Sequence, residues 1–122
     1  MNNHDVILFN SRDELFRIEV SKIVYFEADG NYTHIILANK LNFAVLMNLA
    51  KMEKVLADNL QERASRFMRI GKRFIINTSF IVHVHTLKQR MVLSDGLTFA
   101  YSLSISKEAL KNVKKVIVST RL

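Results

Sequence analysis

Short runs rich in Val, Ile, Phe, Tyr and Thr recur along this chain with turn signals between them, and no other feature limits its fold as much. β-branched and aromatic side chains suit a pleated surface and lose rotamer freedom in a helix, so runs of about five such residues read as strands. The expected strands are Val6 to Phe9, Leu15 to Glu19, Ile23 to Ala28, Tyr32 to Leu37, Leu41 to Leu46, Phe67 to Ile70, Ile81 to His85, Arg90 to Ser94 and Leu97 to Tyr101. Asp29-Gly30-Asn31 and Asp95-Gly96 lie between apolar runs. Both are hairpin signals, because glycine takes the positive φ of a tight turn cheaply.

Two stretches change period from two to 3.6. In Asn48 to Leu60, the residues Leu49, Met52, Leu56 and Leu60 fall on one helical face, with Lys51, Lys54 and Asp58 displaced from it. In the second, Ser106 is a cap residue, Glu108 sits in the first turn, and Ala109, Leu110, Val113 and Ile117 form the apolar stripe. Both helices are expected to pack on sheet faces. The fold class expected is mainly β with small helices.

With no Pro, three Gly and no repetitive stretch, the chain offers no linker, and residues 1–122 are expected to form a single domain. A hydrophobic fraction of 49% is enough for a core. The absence of Cys excludes a disulfide framework, a thiolate zinc site and a cysteine nucleophile, and it fits a reducing cytoplasm. No run of about 18 apolar residues exists, and Met1-Asn2-Asn3-His4-Asp5 lacks the layout of a signal peptide. Neither export nor membrane insertion is expected.

The net charge of +7 is unevenly spread. Residues 1–62 carry six basic and nine acidic side chains, whereas residues 63–122 carry twelve and two. The basic half contains Arg63, Arg66, Arg69, Lys72 and Arg73, then Lys88 and Arg90, then Lys107, Lys111, Lys114, Lys115 and Arg121. Such a surface favours a polyanionic partner, although a solvated basic surface has the same composition.

Catalytic and metal signatures are weak. His83 and His85 are two apart on an expected strand and so share a face, but no third ligand is at hand: His4 is near the terminus, His34 is on another strand, and no helical H-x-x-x-H pattern exists. Val82 and Val84 are expected to face the core instead. The chain has no nucleophile elbow, phosphate loop or dinucleotide turn. Glu27 and Asp29 could be taken as a carboxylate pair, yet strand ends beside hairpins are often acidic. We expect no catalytic residues, no metal and no cofactor.

The segment Phe67-Met68-Arg69-Ile70-Gly71-Lys72-Arg73-Phe74-Ile75-Ile76-Asn77 interleaves three cations with apolar anchors. Anchored long side chains lose less entropy when they meet phosphates or base edges. A strand end with solvated charges fits the same pattern.

Glu27-Ala28-Asp29-Gly30-Asn31-Tyr32-Thr33, then Phe67-x-Arg69-Ile70-x-x-x-Phe74-Ile75-Ile76-Asn77, then Ile81 and Leu93-Ser94-Asp95-Gly96 together resemble the LytTR family of bacterial DNA-binding domains, in the same order over about Val6 to Val118. The resemblance implies short antiparallel sheets with small helices and a DNA-binding transcription regulator. Such domains are usually the output half of two-component response regulators and read direct repeats in promoter DNA. The positions matching the family's contact regions are Asn31, Thr33 and His34 after the first hairpin signal, Arg69, Lys72 and Arg73 in the basic turn, and Ser106 and Lys107 at the cap of the last helix. Many members carry His and then Ser where this chain has Gly71 and Arg73, so base preference there does not transfer.

The partners expected are double-stranded promoter DNA, a second copy on the DNA or an upstream signalling protein. No receiver domain is expected within the chain, since five residues before Val6 cannot hold one. Arg forks match guanine edges bidentately and Lys acts as a point charge. Ser106 can cap its helix and help hold a phosphate at once. Asn77 is expected to satisfy its own turn, and Tyr25, Tyr32 and Phe74 to pack. From another functional class, a β-rich protein-interaction module binding an acidic partner fits the same charge.

Overall fold

The computed structural model describes residues 5–120, so His4 and Arg121 lie outside the described residues. Its elements run β1 (Val6–Asn10), β2 (Leu15–Glu19), β3 (Ile23–Asp29), β4 (Tyr32–Leu37), β5 (Asn42–Val45), α1 (Leu49–Leu60), β6 (Phe67–Ile70), β7 (Phe74–Asn77), β8 (Ile81–His85), β9 (Arg90–Ser94), β10 (Ala100–Ser104) and α2 (Lys107–Thr120). They form a β1-β2 hairpin, a five-stranded sheet in the order β5-β4-β3-β7-β6, and a three-stranded sheet in the order β10-β9-β8. Every pairing is antiparallel. The fold is thus mainly β with two small helices.

The five-stranded sheet is buried on both faces. Against one face, α1 lays Leu49, Met52, Leu56 and Leu60 on Phe26, Ile35 and Ile75, and the β1-β2 hairpin adds Ile7, Phe9 and Ile18. Against the other, Met91, Leu93 and Leu103 of the three-stranded sheet and Leu110 and Val113 of α2 cover Tyr25, Ile36, Phe74 and Ile76. Each such side chain contributes about 1.5–3 kcal/mol by leaving water. A register shift between Ile23 and Tyr25 lets Val24 and Tyr25 both serve the second core, while Ile23 and Phe26 serve the first.

Both helices begin at side-chain caps, Ser106 as expected and Asn48 in addition. The Asn48 side chain accepts from the Lys51 backbone N–H at 2.8 Å, and Ser106 Oγ accepts from that of Ala109 at 3.2 Å. None of the described helices is long and apolar enough to cross a membrane.

Beyond one-residue differences at the ends of β1, β3 and β5, the strands differ from expectation in three places. Phe74–Asn77 is a fully buried strand next to β3, although its continuous apolar run has no alternation to announce it. The last strand begins at Ala100 rather than Leu97, because Asp95 builds a longer loop: its carboxylate accepts from the backbone N–H groups of Leu97, Thr98 and Phe99 and from the Thr98 hydroxyl. Val82 is exposed rather than in the core. The β8-β9 register jumps from Ile81↔Leu93 to His83↔Val92, so Val82 is the extra residue of a bulge.

Candidate nucleic-acid interface

Antiparallel pairing carries two turns to the same end of the five-stranded sheet. Asp29 pairs with Tyr32 across the β3-β4 turn, Glu27 pairs with Phe74 at the start of β7, and the Ala28 N–H donates to the Arg73 carbonyl at 2.8 Å. The β6-β7 turn therefore abuts the β3-β4 turn. Gly71 sits in it at φ +62°, a conformation that costs other residues strain.

Arg69 and Arg73 brace this end from opposite faces. Arg69 Nε donates to the Gly71 carbonyl at 2.9 Å and Nη1 to Glu53 Oε1 of α1 at 3.0 Å. Arg73 donates from Nε and Nη2 to Glu27 Oε2 at 3.0 and 2.8 Å, with its guanidinium 5.1 Å from the Phe74 ring centroid. Lys72, at the apex between them, is exposed and has no ion pair among the described residues. The turn thus fixes two cations and projects a third.

Asn31 is exposed in the β3-β4 turn. His34 lies on β4 with both ring nitrogens engaged, Nε2 with Asp29 Oδ2 at 2.7 Å and Nδ1 with Asn42 Oδ1 at 2.9 Å. Hydrogen bonding to Asp29, and then to Asn42, raises its pKa above the ordinary imidazole value. Glu27 and Asp29 engage different partners, Glu27 the Arg73 guanidinium and Asp29 the His34 ring.

Thr33 leaves the candidate set. It is completely buried on the face of α1, and its hydroxyl donates to the Met47 carbonyl at 2.9 Å. The pleat sends it away from His34, so only one of the two neighbours can reach a ligand. Tyr32, expected to pack, is 46% exposed at the same turn. Asn77 is buried and ties β7 to β3, donating from Nδ2 to the Ile23 carbonyl at 2.8 Å while its Oδ1 accepts from Ser79.

The α2 cap connects to this end through packing. Ala109 and Asn112 line a cavity of about 260 Å³ together with Met68 and Gly71, whereas Ile117 and Val118 line another with Ile81 and Val82. The first half of α2, with Ser106 and exposed Lys107 at its start, therefore runs beside the Gly71 turn.

The basic half does not gather into one patch. Arg66 immediately precedes β6, whose first residue Phe67 pairs with Asn77, so Arg63 and Arg66 lie at the other end of the sheet from Lys72. Arg63 is also neutralised by Asp5 at 2.7 Å. His83 and His85 have ring centroids 6.0 Å apart, but His85 Nδ1 accepts from the Lys88 N–H, and no group of three ligating side chains occurs among the described residues.

The family model of the LytTr DNA-binding domain matches residues 13–118. A solved LytTr DNA-binding domain from Bacillus cereus shares the fold with a TM-score of 0.63 at 19% identity, over 93% of this chain and 96% of that one. No curated protein matches this chain.

Proposed function

The chain belongs to the LytTr DNA-binding domain family, and from that premise we propose that it binds repeated sites in promoter DNA through the sheet end that carries Asn31, Lys72 and Arg73. The observation that supports this most is the register that sets the two turns side by side, with Lys72 exposed at the apex of the β6-β7 turn. A duplex laid across this end meets Lys72 as a point charge and the exposed outer side of the Arg73 guanidinium, whose Nη1 is not taken up by Glu27 and can reach a phosphate or a guanine edge. Asn31 offers a donor and an acceptor to base edges, and Lys107 with the free N–H groups of the first turn of α2 suits a backbone phosphate.

Arg69 acts on the shape of the turn, since its guanidinium is spent on Gly71 and Glu53. The role is regulatory and non-catalytic: the output half of a cytoplasmic response regulator, with two copies side by side on direct repeats.

Selection from random duplexes followed by fluorescence anisotropy tests this. We expect repeats to be enriched, and log K to fall against log salt with a slope near −5 if about six phosphates are neutralised. Lys72→Ala and Arg73→Ala should each weaken binding by about 1–3 kcal/mol without loss of fold. Binding no stronger than that of an unrelated protein of equal charge would overturn the proposal and favour an acidic protein partner.

A further inference from the structure

We propose that His34 is a positioning residue for DNA binding: held as an imidazolium between Asp29 and Asn42, it keeps the β3-β4 turn electrically neutral and makes affinity for DNA fall as pH rises. The proposal rests on the reading that this sheet end meets the duplex.

Both ring nitrogens face oxygen atoms, Asp29 Oδ2 at 2.7 Å and Asn42 Oδ1 at 2.9 Å. A neutral imidazole has one N–H and donates once, whereas the protonated ring donates to both. The charged groups around the ring are few. From β3 come Asp29, 69% exposed, and Glu27, which stands directly opposite His34 in the register. Arg73, just before β7, pairs with Glu27, and β5 presents only neutral Asn42 and Ala44. With the ring charged, these four ionisable groups sum to zero. With the ring neutral they sum to −1, beside a polyanion.

The same ring ties three strands together. Asp29 ends β3, His34 is on β4 and Asn42 begins β5, so protonation fixes the shoulder of the turn that presents Asn31. His34 is thereby a brace, and its ring nitrogens are not free to read a base.

Two measurements on the full chain test this. Long-range ¹H–¹⁵N spectra of the DNA-free protein report the charge of the His34 ring directly: both nitrogens should be protonated in mildly acidic buffer, with the titration midpoint lowered in Asp29→Asn. Affinity for the selected duplex, followed against pH at constant ionic strength, should drop roughly two- to fivefold through that midpoint, the worth of one screened surface charge. His34→Gln, with its fold checked by circular dichroism, should show that drop removed and bind weakly throughout. A neutral ring accepting at Nδ1 from a turned Asn42 amide would overturn the proposal, as would a wild-type pH profile in His34→Gln. A charged ring with pH-independent binding overturns the coupling alone, whereas failure to bind DNA at any pH overturns the DNA reading with it.

Discussion

Thr33 and His34 are adjacent polar residues that the pleat of β4 sends to opposite faces, one into the α1 core and one onto the rim of the sheet. Their chemistry was legible in the sequence but their parity was not, because a block of polar residues beside a turn does not say which member starts the alternation. The consequence is measurable. Thr33→Val keeps the shape and removes the bond to the Met47 carbonyl, so it should lower unfolding free energy in urea by about 1 kcal/mol while DNA affinity stays unchanged. Glu27 and Asp29 carry the same lesson. Read as a possible acid/base pair from their spacing, they are separated in purpose by Arg73 and His34, partners 46 and five residues away that spacing could not supply.

At the scale of elements, the amphipathic helices and most strands could be read from periodicity because each has one face in water or against one core. β7 could not, since Phe74, Ile75 and Ile76 are buried on alternating faces that are both dry. The β9-β10 loop is illegible for another reason: Asp-Gly signals a turn, but the side chain of Asp95 decides its length by capping three N–H groups. Those bonds hold the carboxyl well below the ordinary carboxylate range, the Thr98 hydroxyl contributing most. A depressed carboxyl stabilises the fold above its unfolded pKa of 3.8 and loses that effect as pH falls toward the folded value. Asp95→Asn should therefore melt at lower temperature than the wild type from pH 7 to 5, with the gap closing only in strongly acidic buffer. In the β6-β7 turn, a Cβ on Gly71 would touch nothing, yet the φ of +62° remains. Gly71→Ala should cost about 1–2 kcal/mol of stability from backbone strain alone, and Gly71→Asn less, as chemical denaturation can show.

For the whole molecule, the charge asymmetry along the chain pointed to an anionic partner but did not reveal that folding would divide the cations. The turn residues Lys72 and Arg73 lie at one end of the five-stranded sheet, while Arg63 and Arg66 lie at the other with Asp5. Sequence distance from residue 63 to residue 73 is short, but β6 runs the length between them. The two cores were likewise invisible as separate bodies, because their members alternate along the same strands. That shared partition has a kinetic corollary. β3 is bonded on both sides and covered front and back, so exposing its amides requires opening nearly everything else. In hydrogen-exchange measurements Tyr25 and Phe26, paired with both β4 and β7, should be among the last to take up deuterium, and the two turns at the far end of that strand hang from the most persistent part of the protein. A surface loop so suspended arrives at its target already shaped, with little entropy left to surrender.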